Sequence, residues 1–93
     1  MNAINVGEVY YRTAKDISLD RAEAVLKRLS IMPILWVSNT SEQVLEAARL
    51  KARFPISYAD AFALATAQRE KASLVTGDPE FRAVEHLVPI LWI

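Results

Sequence analysis

Hydrophobic residues recur at helical spacing in several stretches of this chain, and short apolar runs rich in β-formers separate them; few folds accept that alternation. Ile4, Val6, Val9 and Tyr10 predict a helix over residues 2–15. Ser18 is a good N-cap for a second helix carrying Leu19, Ala22, Val25, Leu26 and Leu29 on one face. Pro33 stops it, and Ile34 to Val37 reads as a short buried strand. Thr40 and Gln43 have the spacing of a capping box, opening a third helix with Val44, Leu45, Ala48 and Leu50 as its apolar positions. Pro55 ends that helix. Ser57 starts a fourth, whose alanines at 59, 61, 63, 65 and 67 favour the helix and let it pack close to a neighbour. Ser73 to Thr76 reads as a strand entering a Gly-Asp-Pro turn, Glu80 to Glu85 as a helical turn, and Val88 to Ile93 as a terminal strand broken only at Pro89. Strands that alternate with helices imply parallel crossovers, hence an α/β sandwich of one domain over residues 1–93.

Composition removes several classes of function. The chain has 93 residues, 53% of them apolar, and no cysteine, which excludes disulfides and thiolate metal sites and suits a reducing cytoplasm. No apolar run approaches the roughly 20 residues of a membrane span, and the first residues do not read as a signal peptide. Eleven basic and eleven acidic residues cancel, so nucleic acid is not gripped by bulk positive potential; only a few local phosphate contacts are open to such a chain. Zero net charge also favours self-association.

Three acids fall near expected helix starts: Glu8, Asp60 and Asp78. Each has a plain explanation. Asn5 with Glu8 and Ser57 with Asp60 have capping spacing, and Asp78 before Pro79 suits an N-cap followed by proline. Together they point further. Ligands of open parallel sheets bind beyond the carboxyl ends of the strands, where Asp78 falls, and Asp60 is on the first turn of the helix leading into that strand. Ala59, Ala61 and Phe62 give Asp60 an apolar setting, and burying an unpartnered carboxylate is costly. A hard divalent cation such as Mg²⁺ offsets that cost and serves phosphodiester hydrolysis.

Three segments carry a family resemblance. Ile4-Asn5-Val6-Gly7-Glu8-Val9 looks like the N-x-x-E-V helix of PIN domains, Tyr58-Ala59-Asp60-Ala61-Phe62-Ala63 resembles their Asp-bearing helix, and Leu74-Val75-Thr76-Gly77-Asp78-Pro79-Glu80-Phe81 resembles their strand and acidic turn. The segments occur in the family's order, and the similarity in style is greatest to VapC-like toxins of toxin–antitoxin pairs. The resemblance implies a PIN-like three-layer sandwich with a parallel sheet and a ribonuclease that uses Mg²⁺ or Mn²⁺. It implies Glu8, Asp60 and Asp78 as catalytic and metal-site acids, Glu80 as a further metal-site acid, and Asn5 and Thr76 as polar supports. Thr76 reads equally well as a turn residue bonded to its own backbone. The implied partners are an RNA substrate and an antitoxin protein.

One departure stands against the match. PIN domains open on a strand ending in Asp, and this chain opens on the helix that follows. The expectation is a fold truncated at its N-terminus, with exposed strand edges completed by self-association into a homo-oligomer. A misplaced start, a fragment and a naturally short form all account for it. Two functions follow: an endoribonuclease of toxin type, or a non-catalytic remnant that acts as an oligomerisation or protein-binding module. Among the other residues, His86 is expected at the surface, Trp36 and Trp92 in the core rather than exposed and stacked on RNA, and Arg49, Lys51, Arg53 and Arg69 on a solvated helix face rather than at phosphates.

Overall fold

A computed structural model describes residues 1–93. The chain divides into two compact units, Met1–Ser38 and Asn39–Ile93. The first is a pair of helices, α1 (Ala3–Asp16) and α2 (Leu19–Ile31), packed on each other. Asn2 caps α1 by accepting from the amide of Ile4 at 2.9 Å, and Ser18 caps α2 by accepting from that of Arg21 at 3.0 Å. The α1 cap thus lies at Asn2, not at the expected Asn5–Glu8 pair, and leaves both of those residues inside the helix. Only Val6 and Ala22 are buried apolar residues in this unit, while Ile4 and Leu19, expected on the packed faces, are exposed.

The expected strand at Ile34 to Val37 shrinks to one parallel bridge between Asn2 and Val37. The amide of Val37 donates to the carbonyl of Met1 at 2.8 Å, and the amide of Ala3 donates to that of Val37 at 2.8 Å. The helix starting at Ala3 takes the chain out of an extended path, so the pairing cannot propagate. Leu35 is 80% exposed, and Trp36, expected in the core, is at the surface.

The second unit holds α3 (Ser41–Arg53), α4 (Tyr58–Glu70), β1 (Leu74–Thr76), a 3-10 helix over Pro79–Val84, and β2 (Ile90–Trp92). Thr40 and Gln43 make the full reciprocal capping box of α3. β1 and β2 pair in parallel, with Leu74 opposite Ile90, Val75 opposite Leu91 and Thr76 opposite Trp92. The chain is therefore mixed α/β with a parallel sheet, of two strands.

The core is built around α4. Ala61, Phe62, Leu64, Ala65 and Ala67 are all buried, joined by Ala47, Ile56, Phe81, Val84 and Val88. Small alanines on several faces let neighbours approach this helix closely, so it buries more than one stripe. On α3 the inward residues are Val44, Ala47 and Leu50; Leu45 turns outward.

Candidate metal centre

Local structure explains how three carboxylates of the second unit come together. Ser57 caps α4, its hydroxyl accepting from the Asp60 amide at 3.2 Å, which fixes Asp60 on the first helical turn. β1 runs into the turn Thr76-Gly77-Asp78. There the Thr76 hydroxyl accepts from the Asp78 amide at 3.0 Å, and Asp78 Oδ1 accepts from the Glu80 amide at 2.9 Å. Pro79 at the first position of the 3-10 helix suits this cap. Gly77 has a close neighbour: a Cβ there would lie 3.1 Å from the carbonyl oxygen of Ile93, so a side chain would press on the strand beside it.

One carboxylate oxygen each from Asp60, Asp78 and Glu80 lies within 4.8 Å of the others. Asp60 and Glu80 are half-buried and Asp78 is exposed. No lysine or arginine pairs with any of the three; the ion pairs of this unit are Arg49–Glu42 at 3.5 Å and Arg69–Glu46 at 3.3 Å. Burial pushes the Asp60 carboxyl up to about 7, reinforced by the hydrogen bond and negative charge of Glu80 and by the charge of Asp78; the Ser57 hydroxyl works in the opposite direction. At neutral pH the cluster thus holds a proton or attracts a cation. An all-oxygen donor set of this size fits a hard divalent ion, which needs only one or two direct carboxylates besides waters.

Two of the other expected site residues, Glu8 and Asn5, belong to the first unit. Glu8 is inside α1 of the first unit, 3.7 Å from Arg12, an i,i+4 pair. Asn5 is in the first turn of the same helix. Thr76 performs the local backbone role that its sequence also allowed. His86 is at the surface, its ring edge-on to Phe54, as expected. Trp92 is not a core residue: it is 37% exposed, and the Arg82 guanidinium stacks over its ring at 5.0 Å. Sequence reasoning passed over Arg82 altogether, because a single arginine on a short helical turn has no signature.

Asp78 and Glu80 just past a parallel strand, with Asp60 on the first turn of α4, form a carboxylate cluster that could hold a metal ion. Comparison with protein families is specific: the PIN domain model matches residues 1–87. The chain belongs to the PIN domain family, whose members are typically nucleases. No curated protein and no solved structure matches it. No helix is long and apolar enough to cross a membrane.

Proposed function

We propose that this protein is a metal-dependent endoribonuclease of the VapC-like toxin type, acting as a single PIN-like domain. The observation that supports it most is the unpaired trio of Asp60, Asp78 and Glu80. These residues would hold Mg²⁺ or Mn²⁺. When bound, such an ion supplies charge neutralisation at a phosphodiester and a more acidic water. Asp60, already disfavoured as a bare anion, would gain most from a cation and would anchor it. Thr76 and Ser57 hold the backbone on which Asp78 and Asp60 stand. Glu8 is a further catalytic and metal-site acid, with Asn5 as its polar support, on the strength of the motif alone. RNA is the substrate, an antitoxin protein and a second copy are the partners, and the cytoplasm is the setting.

A second reading is a protein-binding or oligomerising module without catalysis. It draws on the exposed Val75, Leu91 and Ile93 of the sheet segment. The experiment that separates the two is cleavage of end-labelled single-stranded RNA by the purified chain with Mn²⁺. Cutting that disappears with a chelator, and drops at least 100-fold in Asp60→Asn, is the expected result. A folded chain that leaves the RNA intact would turn the assignment to the binding module.

A further inference from the structure

A chain with no net charge must hold RNA by a few local contacts, and one pair of side chains, on the strand paired with β1 and on the 3-10 helix that follows Asp78, is suited to that task. Trp92 is the register partner of Thr76 in the parallel pair. Partners on neighbouring strands put their side chains on the same face, roughly 5 Å apart. The indole therefore stands next to the threonine whose hydroxyl fixes the Asp78 amide. The Ile93 amide donates to the Thr76 carbonyl at 3.0 Å, which ties the strand to the turn just past Trp92.

Trp92 is also open to solvent, although large aromatics in such strands are normally covered. Arg82 lies two residues past Glu80 and makes no ion pair with any carboxylate. Its guanidinium rests on the Trp92 ring at 5.0 Å instead. An aromatic face accepts any nucleobase, and a guanidinium that is not committed to a carboxylate is available to a phosphate.

We infer that Trp92 and Arg82 form the nucleotide-positioning subsite of this centre: a base of single-stranded RNA stacks with the indole, and the guanidinium meets the adjoining phosphate. The inference rests on the ribonuclease reading for its substrate, yet binding tests it without turnover. Neither residue takes part in bond breaking, so both are positioning residues.

The test has a binding arm and a kinetic arm. In the binding arm, a Trp36→Phe, Asp60→Asn chain leaves Trp92 as the only tryptophan, and a chelator in the buffer prevents turnover of RNA. Titration with a short single-stranded RNA should quench its fluorescence in a saturable way. Adding Arg82→Gln should weaken that binding and lower its salt dependence. In the kinetic arm, Trp92→Leu should raise KM on the order of ten-fold with little change in kcat, and Trp92→Phe should restore most of the loss. Circular dichroism of each variant checks folding. Absence of quenching by RNA would overturn the subsite even if the chain cleaves RNA. Equal losses in the Leu and Phe variants, confined to kcat, would overturn it too. Saturable quenching by a chain that never cleaves would support the subsite and defeat the nuclease assignment, so the two failures are distinguishable.

Discussion

The two units of this molecule solve the same packing problem with different materials. The first pairs two amphipathic helices and buries only Val6 and Ala22 among its apolar residues. Met32, Leu35, Ile17 and Leu19 remain in water. The second buries ten apolar side chains around an alanine-rich helix that has no single polar face. A helix packed on several sides has few ways to move, and the three clustered acids project from its start and from the turn beside it. Precise placement of mutually repelling carboxylates requires such a scaffold, because each must be held against its neighbours. The lesson is that strong amphipathicity does not by itself identify the better packed region; small residues distributed around a helix do.

The largest expected effect tests that contrast directly. Leu64 is fully buried, so Leu64→Ala should cost about 2–5 kcal/mol of stability. Val6→Ala, the corresponding change in the first unit, should cost no more than about 2 kcal/mol. Urea unfolding measures both, and native-state hydrogen exchange should show α4 amides opening at higher free energy than those of α1 and α2. Equal costs, or equal protection, would break the comparison.

The second effect concerns the first unit's one buried polar residue. Asn2 is 2% exposed, caps α1, and takes part in the single bridge to Val37. Asn2→Ala should destabilise by about 1–2 kcal/mol through loss of the cap acceptor. Exchange of the α1 amides is the direct readout. An unchanged α1 in the alanine variant would mean that helix packing alone holds the unit.

Much of this was legible in the sequence because caps and prolines act locally. Ser18, Thr40 with Gln43, Ser57 and Asp78 before Pro79 mark helix starts where the structure has them. Strands depend on partners that sequence does not display. Leu74–Thr76 finds β2, whereas Ile34 to Val37 has the same β-rich character but meets only Asn2, so it forms one bridge. The acids Asp60, Asp78 and Glu80 were visible as motif positions; their mutual distance was not, because it depends on how a turn folds against a helix start. Trp92 was misread as core for a related reason. Burial of a terminal strand depends on what covers it, and hydropathy cannot report that.

A third prediction uses charge. The Asp60 carboxyl is pushed up to about 7, above its unfolded value, so the folded chain binds more protons than the unfolded chain between about pH 4 and 7. Stability should therefore fall as pH rises through that window, and the loss should be complete above it. Asp60→Asn should remove the slope and add on the order of 1 kcal/mol at pH 8 after allowance for solvent screening. Mn²⁺ should raise the Tm of the unaltered chain more at pH 8 than at pH 5, because it binds the ionised form. A flat pH profile, or an equal Mn²⁺ effect at both pH values, would show that the cluster does not act as one electrostatic unit.

The smallest effect lies at the end of the best packed helix. α4 closes on Lys71 at φ 52° and ψ 42°, the left-handed region, with the Ala72 amide donating to the Ala67 carbonyl at 2.9 Å and the Lys71 amide to that of Gln68 at 3.3 Å. This is the Schellman arrangement, which normally uses glycine. A side chain in this conformation costs about 1–2 kcal/mol. Glycine relieves that cost but adds freedom to the unfolded chain, so Lys71→Gly should gain a few tenths to about 1 kcal/mol. Lys71→Ala keeps the Cβ and should gain nothing. Neither helix of the first unit ends on a left-handed residue, so no comparable gain is available there. If the gain from Lys71→Gly protects the amides of α4 and β1 but leaves those of α1 and α2 unchanged, the two units open independently. If it protects all of them equally, they unfold together, and the contrast between them is one of packing density without separate cooperativity.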